Sequence, residues 1–174
     1  HTFSDPLTRL AFQRALHKIS NTPGSMVYGN TTIYGPNETE NYANLASYML
    51  PDIIGQMTRP TGHGLNPVPV TEALRIPDTQ EIIDAHLFTN RLIERSHGYI
   101  EMIDFDKADD ISNTLIDAGT KFKETVLKGL LEVGIDIKNP FELLLSMRRI
   151  GAKKLEELYG PGAIDKTQIR NRKP

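Results

Sequence analysis

Two side chains that could take part in chemistry, Glu72 and His63, lie in one segment of the chain, residues 52–77. The segment is rich in residues that interrupt regular structure, namely Pro60, Gly62, Gly64, Pro67 and Pro69. This density disfavours a helix or a central strand and predicts a loop. A carboxylate in such a loop, at the end of a strand, could accept hydrogen bonds from ligand hydroxyls such as those of a ribose. A solvated loop carboxylate is the alternative for Glu72.

His63 stands between two glycines, so its ring is sterically open and could serve as a general acid or base or as a metal ligand. The chain has 5 His and 0 Cys, and no His pair has the spacing of a helical zinc site. We therefore predict no metal site, and an exposed loop histidine is the simpler interpretation. A small hydrolase that uses His63 and Glu72 as acid and base is a further hypothesis.

A second polar stretch contains Tyr28 and Asn30 and follows a short run that resembles a strand. It could be a second ligand-facing loop, since ligands bind at the carboxyl edge of parallel sheets. A surface hairpin would explain the same residues, and the sequence leaves both interpretations open.

The elements that would position these residues alternate in type over the first eighty residues. Residues 5–19 have helical spacing, with Asp5 as the N-cap and Pro6 in the first turn. A short strand is predicted at 25–30, then a helix over 41–50 that Pro51 stops, then a buried strand at Ile53 and Ile54. This alternation predicts βα units and a parallel sheet.

The rest of the chain is predicted to be helical. Asp78 and Glu81 match a capping box at the start of a helix that runs to about Arg95. Its predicted core face contains Ile82, Ile83, Leu87 and Ile93. Residues 107–131 form the clearest helix, with Gly134 as its stop, and two shorter helices follow over 141–150 and 153–159.

We therefore predict an α/β fold class: a partial (β/α) barrel segment followed by an all-helical C-terminal region. The predicted domains are residues 1–95, with βα units from the end of a barrel, and residues 96–174. A complete eight-fold barrel needs about 250 residues. The remaining strands would come from residues outside this sequence or from another chain.

The composition is that of an ordinary globular protein, with 39% hydrophobic residues, 24% charged residues and a net charge of −2. This balance gives no support for a nucleic-acid partner. No apolar run approaches the length of about 18 residues that predicts a membrane span. The lack of cysteine fits a cytoplasmic protein.

Residues 70–77, Val-Thr-Glu-Ala-Leu-Arg-Ile-Pro, follow a Gly/Pro loop and resemble a segment of one enzyme superfamily. It is the superfamily of adenosylcobalamin-dependent mutases that includes the methylaspartate mutase large subunit and the lysine and ornithine aminomutases. The order of elements over about residues 1–150 is similar too. The resemblance implies that Glu72 contacts the adenosyl ribose and that Ile76 is a neighbouring apolar contact. Tyr28, Asn30 and His63 are then the candidates for substrate binding.

The implied activity is an isomerase reaction, a radical rearrangement of an amino acid, with catalytic residues that the sequence does not assign. Adenosylcobalamin is the implied cofactor, and a role for pyridoxal phosphate stays open. The cobalamin-binding Asp-x-His-x-x-Gly motif is absent, and Val68 stands where methylaspartate mutases have a lysine. The implied partners are therefore the remaining barrel segment and a cobalamin-binding subunit, in an oligomer.

The alternative function is a non-catalytic helical assembly subunit. Its docking surface would be the apolar stripe of residues 111–130 and the C-terminal helices.

Overall fold

The computed structural model describes residues 5–20, 22–24 and 33–160, and this part of the chain is helical without any strand. Six helices follow one another: α1 (Pro6–Ile19), α2 (Glu38–Thr58), α3 (Thr79–Met102), α4 (Asp106–Glu132), α5 (Pro140–Ile150) and α6 (Ala152–Tyr159). The predicted α/β partial barrel is therefore wrong for this chain. The strand predicted at 25–30 lies outside the described residues.

The start of α1 is as predicted. The Asp5 carboxylate accepts hydrogen bonds from the backbone N–H of Thr8 at 2.9 Å and from its hydroxyl at 2.6 Å. Pro6 occupies the first turn, where its missing N–H costs nothing. Leu10 and Ala11 are buried on the inner face of the helix.

The strand predicted at Ile53 and Ile54 is wrong, because both residues lie in α2 and Pro51 does not end that helix. Leu45, Met49 and Ile53 recur every four residues, so the apolar stripe continues past the proline. Full burial of each of these side chains contributes about 1.5–3 kcal/mol, which together exceeds the cost of about 3 kcal/mol for a proline inside a helix. Ile53 and Ile54 are both buried because they face two different clusters.

The capping box predicted for α3 is confirmed: Asp78 accepts from the Glu81 N–H, and the Glu81 carboxylate accepts from the Asp78 N–H. The helix continues to Met102, past the predicted end near Arg95. Its predicted core face is wrong in part, because Ile82, Ile83 and Leu87 are exposed. The buried positions are the small residues Ala85, Thr89 and Ser96, which let α3 pack closely on α2.

The chain divides into two compact units, His1–Leu115 and Ile116–Pro174, so the boundary falls inside α4. The domain boundary predicted after residue 95 stays a prediction. The first unit has two core clusters, one around Leu45 and Met49 and one around Leu10 and Ile54.

The second unit has one core cluster, in which Val126 and Leu130 of α4 pack with Leu155 of α6. Gly134 (φ 86°) follows α4 as predicted, and Asn139 caps α5. Phe122, Val126 and Leu130 of the predicted stripe are therefore core residues of this unit, whereas Leu115 is exposed. No helix in the described part of the chain is long and apolar enough to cross a membrane.

Candidate functional site

The connection between α2 and α3 contains the segment singled out from the sequence, residues 70–77, and lies outside both helices. Val70 and Thr71 are buried at its start, and the Asn41 side chain donates a hydrogen bond to the Val70 carbonyl at 2.7 Å. The Leu74 N–H then donates to the Thr71 carbonyl at 2.9 Å, which closes a turn. The segment is therefore anchored at one end and exposed at the other.

Two tyrosines, the half-buried Tyr34 and the buried Tyr48, fix the chain just before this turn. The Tyr34 hydroxyl donates to the Val68 carbonyl at 2.8 Å, and the Val68 N–H donates to the Tyr48 hydroxyl oxygen at 2.7 Å. Burial raises the pKa of both tyrosines, so both hydroxyls stay protonated at neutral pH. The Arg9 guanidinium lies over the Tyr48 ring at 5.2 Å and forms an ion pair with Asp52 at 2.7 Å. The loop is thus held by Tyr34, which precedes α2, and by Tyr48 of α2, on whose ring Arg9 of α1 lies.

Glu72 is exposed at the turn, and its backbone N–H donates to the Pro69 carbonyl at 3.1 Å. No hydrogen bond or ion pair of its carboxylate is found in the described part of the chain. Ile76 is 91% exposed on the same segment. Both side chains predicted to contact a cofactor are therefore accessible.

The other predicted residues are not brought together with Glu72. His63 is half-buried, with Nδ1 at 2.6 Å from the Gly64 carbonyl and Nε2 at 3.4 Å from Gln13. No hydrogen bond within the described ranges joins His63 to Glu72, so the contacts of the two residues give no support for an acid–base pair. Tyr28 and Asn30 lie outside the described residues, so their predicted roles stay predictions.

A cavity of about 140 Å³ lies beside the turn, and Thr71, the residue before Glu72, is part of its lining. It lies between the starts of α2 and α3, and its lining comprises Glu38, Tyr42, Val70, Thr71, Glu81, Asp84 and Ala85. The Asp78 backbone N–H, followed by other contacts that include Arg75, holds the pKa of the Glu81 carboxyl below its usual value. The cavity is therefore acidic at neutral pH.

A basic cluster around Asp109 is the feature that sequence reasoning missed. Arg14 donates to both Asp109 oxygens, at 3.0 and 2.7 Å, and Arg59 does so at 2.8 and 3.2 Å. Lys18 lies 3.3 Å from the same carboxylate. The signal in the sequence is weak, because Arg14 is one of three polar residues, with Arg9 and Gln13, that are buried on α1 beside Leu10, Ala11 and Ala15.

Neither these clusters nor any other group of His, Asp or Glu in residues 5–20, 22–24 and 33–160 is arranged to hold a metal ion. No family model, curated protein or solved structure matches the chain.

Proposed function

We propose that the chain is a component of an adenosylcobalamin-dependent mutase or aminomutase that acts on an amino acid together with a cobalamin-binding partner. This proposal rests on one observation, the accessibility of the segment of residues 70–77. The segment that resembles the superfamily lies between two helices, anchored at Val70 and Thr71, with Glu72 and Ile76 accessible.

The described residues fit the ribose of such a cofactor but do not form a site for its corrin ring. The Glu72 carboxylate has free acceptor capacity for ribose hydroxyls, and Ile76 offers apolar surface beside it. The neighbouring cavity of about 140 Å³ is far too small for a corrin ring. When bound, the cofactor supplies the radical chemistry, and the role of this chain is to position its ribose and to exclude water.

Exposed apolar side chains on the first unit support the need for a partner. Leu74 and Ile76 on the turn, and Ile82, Ile83 and Leu87 on α3, are all exposed and lie within residues 74–87. Exposed apolar residues of this kind mark an interaction surface where they form a contiguous patch. A partner that covers them would also exclude water from Glu72.

The test is to mix the full chain with adenosylcobalamin and the cobalamin-binding subunits of a methylaspartate mutase and of an aminomutase. Sedimentation velocity, followed at the visible absorption of the cofactor, should show the chain and the cofactor in one complex. Glu72→Gln should weaken retention of the cofactor, whereas the control Glu101→Gln, at an exposed position on α3, should not. A chain that stays monomeric and binds no cobalamin beside these partners would contradict the proposal.

A second candidate function is self-assembly through α5, and one observation favours it. Phe141, Leu144 and Leu145 form an exposed stripe along this helix, with Phe141 84% exposed. The opposite face of the helix packs in the core of the second unit. Glu142 lies in the first turn and Arg149 in the last. Antiparallel pairing with α5 of a second copy would therefore align opposite charges along an apolar seam.

Sedimentation of the full chain tests this second function. Leu144→Glu should convert a dimer to a monomer, since it places a charge in the seam. Thr120→Glu adds the same charge at an exposed position on α4 and should leave the dimer intact. A wild-type monomer, or a dimer that Leu144→Glu does not change, would exclude assembly through α5.

A further inference from the structure

We propose that Tyr34, Asn41 and Tyr48 are positioning residues, which fix the backbone ahead of Glu72 and so set where its carboxylate meets a ligand. These three side chains together form the clamp. The inference rests on the proposed function, because a fixed place for Glu72 matters only if its carboxylate contacts the cofactor.

The clamp binds both backbone groups of Val68 in a closed ring of hydrogen bonds. The Val68 N–H donates to the Tyr48 hydroxyl oxygen at 2.7 Å, and the Tyr34 hydroxyl donates to the Val68 carbonyl at 2.8 Å. The two hydroxyl oxygens lie 3.5 Å apart, and Tyr48 is the donor between them, since Tyr34 uses its proton on Val68. Each hydroxyl then donates once and accepts once, so Val68 cannot shift without the loss of a hydrogen bond.

Asn41 extends the clamp two residues further along the chain. Its side chain is fully buried, and its amide nitrogen donates to the Val70 carbonyl at 2.7 Å and to the Gly35 carbonyl at 2.8 Å. Its amide oxygen accepts from the Gly35 N–H at 2.9 Å. A buried amide whose protons and oxygen are all paired favours one arrangement of the groups around it. Asn41 therefore fixes the segment that carries Glu72 relative to the residues just before α2.

The short stretch between the clamp and Glu72 has little freedom. Only Thr71, which is buried, separates Val70 from Glu72. The Glu72 N–H donates back to the Pro69 carbonyl at 3.1 Å, and the rings of Pro67 and Pro69 restrict φ in the same stretch. The place of the Glu72 backbone therefore depends on the clamp. A carboxylate that is held in place before binding loses less conformational freedom when a ligand arrives.

Amide exchange with solvent, followed by NMR on the full chain, tests the clamp without a cofactor. Tyr34→Phe removes one hydrogen bond to Val68 and keeps the aromatic ring. It should speed exchange at the Glu72 amide by about fivefold, the ratio expected for the loss of one hydrogen bond. Tyr42→Phe is the matched control and should leave this exchange unchanged, because the Tyr42 hydroxyl forms no hydrogen bond with the described residues. Unchanged exchange in Tyr34→Phe would overturn the inference.

A double-mutant cycle on cofactor retention shows whether the clamp acts through Glu72. In the complex with adenosylcobalamin and a cobalamin-binding subunit, Tyr34→Phe should weaken retention of the cofactor by about fivefold. In a chain that already carries Glu72→Ala, the same substitution should have no further effect, since the carboxylate that it positions is absent. A clamp that only stabilises the fold would weaken retention by the same factor in both chains, and this result would refute a positioning role.

The two measurements separate a failure of this inference from a failure of the proposed function. Cofactor retention that Tyr34→Phe does not change, in a wild-type complex that forms, would leave the proposed function standing and reject the inference. A wild-type chain that retains no cofactor, but in which Tyr34→Phe still speeds exchange at Glu72, would reject the proposed function and leave the clamp as a fixed support for Glu72. Tyr48→Phe, which removes the acceptor of the Val68 N–H, should reproduce both effects of Tyr34→Phe.

Discussion

At the scale of single residues, Asp109 concentrates more electrostatic interaction than any predicted site residue. Its carboxylate holds two guanidinium groups and one ammonium, which come from α1 and from the end of α2. The Arg14 side chain is only 4% exposed and also lies over the Phe105 ring at 4.6 Å. A buried arginine of this kind depends on its counter-charge.

Asp109→Asn should lower the free energy of unfolding by about 2 kcal/mol, because it leaves Arg14 buried without its counter-ion. Asp110→Asn is the matched control, since Asp110 is the exposed neighbour on α4 and should cost less than about 0.5 kcal/mol. Urea unfolding followed by circular dichroism measures both. Equal effects of the two substitutions would show that the cluster contributes nothing specific.

The same carboxylate predicts a pH dependence. Hydrogen bonds from Arg14, followed by the other nearby cations, hold the pKa of Asp109 well below its usual range. Its contribution to stability is therefore complete above the unfolded pKa of about 3.9 and is lost as the pH falls towards the lower folded value. The difference in unfolding free energy between wild type and Asp109→Asn should be constant at neutral pH and should shrink below about pH 4. A difference that persists undiminished to lower pH would contradict this assignment.

The sequence predicted the loop around Glu72 but not the charged clusters. Pro and Gly act locally, so their effect on the backbone is visible in a short window. Arg14 and Asp109 are 95 residues apart in the chain, and Arg9 and Asp52 are 43 apart. No local pattern encodes such pairs, and they arise only when the helices pack.

At the scale of elements, the starts of α1 and α3 were predicted correctly, the start of α2 was predicted three residues late, and the sheet was an error. Asp5, Asp78 and Asn139 cap helices as short-range signals indicate. The pair Ile53 and Ile54 was ambiguous, because a short apolar run does not distinguish a strand from a buried helix segment. What distinguishes the helix is the four-residue repeat of apolar side chains from Leu45 onwards. This repeat is apparent only if Pro51 is allowed inside the helix.

The packing of α4 against α6 predicts a strong effect at Gly129. A Cβ added at this glycine would overlap the ring of Tyr159. Gly129→Ala should therefore lower the unfolding free energy by about 1–3 kcal/mol, although alanine is favoured over glycine in a helix by about 1 kcal/mol. Urea unfolding of the full chain measures the change.

Gly119 provides the control within the same helix. A Cβ there meets no atom within 4 Å, so Gly119→Ala should stabilise the protein by about 0.5–1 kcal/mol. A second substitution, Tyr159→Leu, should relieve part of the cost of Gly129→Ala. Similar effects of alanine at both glycines would mean that α6 does not pack closely on α4.

At the scale of the whole molecule, the division inside α4 separates the candidate sites from the C-terminal helices. Glu72, the acidic cavity and the Asp109 cluster all belong to the first unit, His1–Leu115. The exposed stripe of α5 belongs to the second, Ile116–Pro174. The proposed ligand binding and the proposed assembly therefore depend on different cores, and each could be altered without the other.

This division predicts that the two units respond separately to substitution. Gly129→Ala should speed amide hydrogen exchange in α5 and α6 and leave α1 unchanged, because only the second core loses packing. Asp109→Asn should do the reverse. The two substitutions should also be additive in unfolding free energy to within about 0.5 kcal/mol, as expected for sites that share no partner. Faster exchange in α1 caused by Gly129→Ala would show instead that α4 couples the two cores into one cooperative unit.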